Sequence, residues 1–160
     1  MFENYYVGMT AVVVVSYLLG SIPTAYFIAK FKGVNIFEVG SGNMGATNVS
    51  RSLGTEWGIM VMMLDMFKGV IAIAISRLLM PESTAAATTI SAVSAIVGHN
   101  WSLFASVFTG TIKGGKGAST AFGTLIMIAP VQVIVAMAVL GVVIVARTRY
   151  VSLGVLIAFT

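Results

Sequence analysis

What most constrains this chain is a set of long stretches without a charged residue. Residues 4–29, 83–112 and 117–146 contain no Asp, Glu, Lys or Arg, and each exceeds the roughly 20 residues a helix needs to cross a bilayer core. A fourth apolar stretch, residues 57–80, carries Asp65, Lys68 and Arg77. A fifth, residues 151–160, is too short to cross. Only 9% of the 160 residues are charged, against about a quarter in a soluble globular domain. The expectation is an all-α, polytopic transmembrane helical bundle, with residues 1–160 forming a single integral membrane domain.

Charge then orients the spans. Residues 30–56 hold Lys30, Lys32 and Arg51, and the connection around 109–118 holds Lys113 and Lys116, while the turn near Pro81 and Glu82 has only Arg77 beside it. Basic loops stay on the cytoplasmic side, which puts both glycine-rich loops there and the N-terminus outside. A single span over 119–146 would carry Arg147 and Arg149 outward. A fourth span broken at Pro130 or Gly141, returning to the cytoplasmic side, removes that conflict, and broken backbone is tolerated at membrane depth where protein or a cavity surrounds it. The N-terminus has no Lys or Arg ahead of the first apolar run, so no signal peptide is expected. The chain has no cysteine, which excludes disulfides, thiolate metal sites and an enzyme-bound thioester.

Two polar segments carry the chemistry. In "VGSGNMGATN", Gly40, Gly42 and Gly45 permit close backbone approach, while Ser41, Asn43, Thr47 and Asn48 offer hydrogen-bonding groups ahead of a helix start near Ala46. Backbone N–H groups opening into a helix make an anion site, and Arg51 follows where its guanidinium can clamp a phosphate. A plain inter-helix turn with an exposed arginine is the competing reading. In "TGTIKGGKGAST", Gly110, Gly115 and Lys116 fit the phosphate-loop spacing, yet Gly117 stands where a magnesium-binding hydroxyl belongs and no strand precedes the loop. A nucleotide triphosphatase is therefore a poor fit. Gly114, Gly115 and Gly117, beside Lys113 and Lys116, still suit a phosphate; a basic loop touching anionic lipid head groups is the alternative.

Asp65 and Lys68 are three apart on one helix face and can pair. At such a depth each charge costs about 2.5 to 3.5 kcal/mol on insertion scales, so a partner or wet cavity is expected. Their expected role is to orient Arg51 and the glycine-rich loops from behind, with a bare structural ion pair as the other reading. His99 is the only histidine. It is a candidate base or a hydrogen-bonded structural residue. One histidine and no cysteine make a protein-ligated metal unexpected, and the fifth residue after His99 is Phe104, so the His-x4-Asp pair of other lipid acyltransferases is absent.

"LLGSIPTAYFIAK", "VGSGNMGATNVSRSLG", "LDMFKG", "GH" followed by "KGGKGAST", and "TRYVSLG" occur in one small chain. In order and rough spacing they resemble the bacterial acyl-phosphate:glycerol-3-phosphate acyltransferases, from about residue 18 to 154. The resemblance implies a multi-pass enzyme of the bacterial plasma membrane with its active site towards the cytoplasm. Its substrates would be acyl phosphate and glycerol 3-phosphate, and its products lysophosphatidic acid and inorganic phosphate at the start of phospholipid synthesis. It implies no cofactor, metal or nucleic-acid partner; the surrounding partner is the lipid bilayer. Ser41, Arg51 and Lys113 would contact phosphate, and Ser152 would be a further contact. A bound phosphate oxygen, rather than His99, is expected to accept the hydroxyl proton.

Three departures bear on this reading. Ser102 stands where the family has proline, and His99 and Lys113 are fourteen residues apart rather than about ten, a longer connection that can reposition His99 or add a turn. The family's C-terminal histidine, asparagine and glutamate motif is not in the 160 residues, and a chain ending there is expected to lack part of the site and at least one helix. The alternative functions are a transporter or channel for phosphate or phosphorylated metabolites, which the same loops would bind without chemistry, and a lipid-binding subunit, which leaves Asp65 and Lys68 unexplained.

Overall fold

The computed structural model describes residues 2–158, with the side chains of Phe2, Val151, Ser152, Leu156 and Ala158 excepted. Every extended element among them is a helix: α1 Phe2–Gly20, α2 Thr24–Phe31, α3 Ala46–Leu53, α4 Thr55–Leu79, α5 Thr84–Asn100, α6 Leu103–Thr109, α7 Ala118–Ile126, α8 Val131–Thr148 and α9 Val151–Ala158, with one 3-10 turn at Pro81–Ser83. Three helical stretches, Glu3–Phe31, Thr55–Leu79 and Val131–Thr148, have the length and apolarity to cross a membrane. Within the stretch read as one membrane domain, packing separates two compact units, residues 1–124 and 125–160.

In the larger unit, α1, α4 and α5 pack together because small residues let their backbones approach. A Cβ on Gly20 would collide with the Ala95 carbonyl, and one on Gly98 with the Tyr17 carbonyl, so α1 and α5 meet backbone to backbone. Between lipid-immersed helices such contact replaces the hydrophobic drive that water would supply. Ser16 donates to Ser91 at 2.8 Å across the same interface. Gly123 lies against the Met66 carbonyl and Gly69 against that of Thr120, which seats α7 on α4. The first glycine-rich loop, α2, α3, α4 and α6 close over a cluster of Ala25, Ile28, Ile36, Met44, Val49, Val61 and Ala105. Outward, α4 presents Ile59, Met60, Met63 and Phe67, while Asp65 and Lys68 are buried on its other side at 1% and 5% exposure. Apolar outside and charged inside is the arrangement a bilayer selects.

Two expected spans prove to be interrupted. The stretch 4–29 is not one helix: Pro23 has no N–H to give, α1 ends at Gly20, and α2 begins at Thr24. The stretch 83–112 also divides, because α5 stops at Asn100 and α6 starts afresh at Leu103 with Ser102 as its N-cap, accepting from the Ala105 N–H at 3.1 Å. The connection between His99 and Lys113 contains α6. The expected break in the fourth span is found at Pro130, which caps α8 in extended backbone, φ −57° and ψ 144°. Gly141 lies inside α8 without breaking it.

In the smaller unit, α8 and α9 form a hairpin. Arg149 takes the left-handed conformation that ends α8, φ 59°, and Gly154 lies close to Val145 and the Gly141 carbonyl.

Candidate functional site

The first loop, residues 32–45, is organised around the side chain of Asn48. Its Nδ2 donates to the carbonyls of Ile36, Val39 and Asn43 at 3.3, 3.1 and 3.0 Å, and its Oδ1 accepts from the Ser41 N–H at 2.8 Å. One buried amide on α3 thereby gathers four points of the loop. Gly40 and Gly42 make this wrap possible, each in the left-handed region, φ 57° and 68°; a side chain on Gly40 would also strike the Asn48 amide. Ser41 is exposed at the tip, and Gly42, Asn43, Gly45 and Thr47 are half-buried around it. Helix α3 opens at Ala46 behind Gly45, with no side-chain hydrogen bond on its N-terminus. Arg51 lies further along α3, exposed.

The second loop, residues 110–117, is packed on the C-terminal end of α5. The Gly115 N–H donates to the His99 carbonyl at 3.0 Å. A Cβ on Gly114 would meet the Asn100 carbonyl, one on Gly115 the His99 ring, and one on Gly117 the Asn100 side chain. These glycines are needed for contact with α5, and the Gly115 N–H, one of the amides expected to face an anion, is already engaged. Lys116 is exposed and Lys113 half-buried. The Lys113 Nζ lies 5.2 Å from the centre of the Phe37 ring, a cation–π distance. Since Phe37 belongs to the first loop, that contact brings the two loops together.

Beneath the second loop is a buried charge cluster. Lys68 Nζ is 2.9 Å from Asp65 Oδ1, so the expected pair forms, and Lys68 also donates to the Ile22 carbonyl at 3.0 Å. Thr24, the first residue of α2, donates to Asp65 Oδ1 at 2.6 Å. The pair therefore braces the Pro23 interruption between α1 and α2, where helical bonding lapses. His99, 3% exposed, has its Nδ1 3.7 Å from Asp65 Oδ1, close enough to feel the charge and too far for a hydrogen bond. The cluster reaches the second loop through His99, whose ring and carbonyl carry Gly115. Ser152 is in α9, its side chain outside the described residues.

Several participants had no sequence signal beyond residue type. Asn48 stands out only as one polar residue among several, Ser102 only as a departure from the family's proline, and Phe37 not at all. Thr24 had one cue, its place directly after Pro23.

Residues 10–160 match the family model of the glycerol-3-phosphate acyltransferases. A glycerol-3-phosphate acyltransferase from Geotalea daltonii is 45% identical over 140 residues, covering 87% of this chain and 68% of its own length. One from Halalkalibacterium halodurans is 40% identical over 149 residues, with 92% and 69% covered. Among solved structures, PlsY (YgiH), an integral membrane glycerol 3-phosphate acyltransferase, matches in its glycerol 3-phosphate form with TM-score 0.81 and 37% identity over 94% of this chain and 72% of that one. Its lysophosphatidic acid form matches with TM-score 0.78 and 36% identity, covering 94% and 71%. A helical membrane chain with these two joined loops, matched over nearly its whole length in sequence and in fold, belongs to the glycerol-3-phosphate acyltransferase family of integral membrane proteins.

Proposed function

We propose that this chain transfers a fatty acyl group from acyl phosphate to the 1-hydroxyl of glycerol 3-phosphate, releasing lysophosphatidic acid and inorganic phosphate at the start of phospholipid synthesis. The observation that carries the reading is the meeting of the two glycine-rich loops at Lys113 and Phe37, 5.2 Å apart. Both substrates bear a phosphate, and two anion-holding segments side by side suit their simultaneous binding. The solved relative in its glycerol 3-phosphate and lysophosphatidic acid forms supports the acceptor and the product. The acyl phosphate donor rests on the motif resemblance.

In this reading Ser41, Arg51 and Lys113 contact phosphate. Gly42, Asn43, Gly45 and Thr47 shape the first anion site, as do Gly114, Lys116 and Gly117 the second. Asn48 serves by holding the first loop, its amide being occupied by that loop's backbone. Gly115 serves by its lack of a side chain against His99. Ser152 is retained as a phosphate contact on the resemblance alone. The basic loops would face the cytoplasm of a bacterial plasma membrane, following the distribution of lysine and arginine.

The chemistry asks little of the protein. Acyl phosphate is an activated mixed anhydride: the 1-hydroxyl oxygen bonds to the acyl carbon, the carbon–oxygen bond to phosphate breaks, and phosphate leaves with that electron pair. The protein must align the two reactants and neutralise charge on the departing group. The hydroxyl proton passes to the phosphate oxygen, because His99 is buried beneath Gly115 and offers no open path to a substrate hydroxyl. Asp65, Lys68 and His99 act as support.

The test is phosphate release by purified protein in detergent from palmitoyl phosphate and glycerol 3-phosphate. Release should require both substrates and collapse in Arg51→Ala and Lys113→Ala. Folded protein that releases none, yet moves phosphate or glycerol 3-phosphate into liposomes, would establish the transporter reading instead. Loss of turnover in His99→Ala with both substrates still bound would make His99 the proton acceptor.

A further inference from the structure

Lys113 is held by its backbone as well as by what its side chain reaches. Ser102 is fully buried; its N–H donates to the Lys113 carbonyl at 2.9 Å, and its Oγ donates to the Ser21 carbonyl at 2.5 Å, where α1 ends. The Lys113 N–H in turn donates to Ser106 Oγ at 3.0 Å, and the Ser106 N–H bonds to the Ser102 carbonyl at 3.0 Å, one turn along α6. Both backbone polar groups of Lys113 are thus taken by the first turns of α6, and that helix start is tied to the end of α1. Lys68 braces the same interruption through the Ile22 carbonyl.

We infer that Ser102 and Ser106 are positioning residues that fix the backbone of Lys113, so that its ammonium group is presented beside the first loop before a ligand arrives. The inference rests on the reading of Lys113 as a phosphate contact. A lysine on a free eight-residue loop would surrender conformational freedom on binding, and a prepaid ordering cost appears as affinity. The two serines hold the main chain and leave the ammonium free for an anion. They also close the His99-to-Lys113 connection: α6 lies within it, and the Ser102–Lys113 pairing returns the chain to His99.

The experiment measures glycerol 3-phosphate binding by calorimetry, turnover with both substrates varied, and amide exchange of the segment 110–117, all on purified protein. Ser106→Ala removes the acceptor for one backbone hydrogen bond, and Ser102→Ala frees the end of α1 from α6. Each should weaken glycerol 3-phosphate binding or raise the KM of a phosphorylated substrate about 3- to 10-fold, the size of one hydrogen bond. The kcat should change less than about twofold, and Ser106→Thr, which keeps the hydroxyl, should behave as wild type. In Ser106→Ala the Lys113 amide should exchange faster by a similar factor. In a Lys113→Ala background Ser106→Ala should bring no further loss of binding, since the serine acts through the lysine. Equal losses with and without Lys113, or variants that lower thermal stability while binding and KM stay unchanged, would overturn the inference. Wild-type protein that binds glycerol 3-phosphate without turning it over would defeat the transferase reading and leave the positioning test intact.

Discussion

The first glycine-rich loop is gathered by one side chain, the Asn48 amide beneath it; the second is pressed onto the end of α5 by glycines and tied by backbone hydrogen bonds to α6. In the first, glycines supply left-handed backbone that bends around the asparagine. In the second, the glycines at 114 and 115 supply room for the carbonyls of His99 and Asn100 and for the imidazole. The wrap around Asn48 leans chiefly on the left-handed torsions of Gly40 and Gly42, whereas the seat on α5 leans on the missing side chains of Gly114 and Gly115, although Gly110 and Gly117 at the ends of the second loop are left-handed too. The first loop should therefore fail through its clamp, the second through any added volume or any slackening of the helices below.

The largest effect is expected at the charge cluster under the second loop. Lys68→Met leaves Asp65 buried without its cation and the Pro23 interruption without its donor, a loss of about 3 to 5 kcal/mol. Replacing both, Asp65→Leu with Lys68→Met, should recover much of the stability and none of the ordering of α1 against α2. Thermal unfolding in detergent measures the first quantity, and amide exchange over residues 19–27 the second. Next is Asn48→Ala, which strips four hydrogen bonds from the first loop. At about 1 kcal/mol each, with partial compensation by water, a loss of about 2 to 4 kcal/mol should follow. Proteolysis confined to residues 32–45, with the 110–117 segment still protected, would show that the two loops are held independently; loosening of both would break the contrast drawn here.

Gly115→Ala drives a methyl group into His99 and should cost about 1 to 3 kcal/mol by overpacking. Gly45→Ala, where an added Cβ meets nothing, should be tolerated, and comparable damage at the two positions would refute the steric account. Smallest is Thr24→Val, which removes one hydroxyl from Asp65 Oδ1 and should cost about 1 kcal/mol, visible as a small fall in unfolding temperature with KM unchanged.

Much of this was legible in the linear pattern. The helical class followed from uncharged length, the start of α3 at Ala46 from the turn residues before it, and the Asp65–Lys68 pair from a spacing of three. A break at Pro130 or Gly141 followed from Arg147 and Arg149 beyond the fourth apolar run, and of the two the structure breaks at the proline. Pro23 also stands within an apolar run, yet the uncharged length around it dominated and a continuous span was expected. What could not be read was the partner of each polar group. Lys68 reaches the Ile22 carbonyl across 46 positions, and Ser102 reaches that of Ser21 across 81.

The sequence by itself determined that the chain is a helical membrane protein with two glycine-rich polar loops, because hydrophobic length and backbone torsion are properties of short segments. Only the tertiary structure decided that Lys113 of one loop lies against Phe37 of the other, that Asn48 is spent inside its loop, and that Ser102 and Ser106 hold Lys113. Those outcomes depend on which donors and acceptors are left unpaired when helices stop, and on which neighbours close packing brings within 3 Å or so of them.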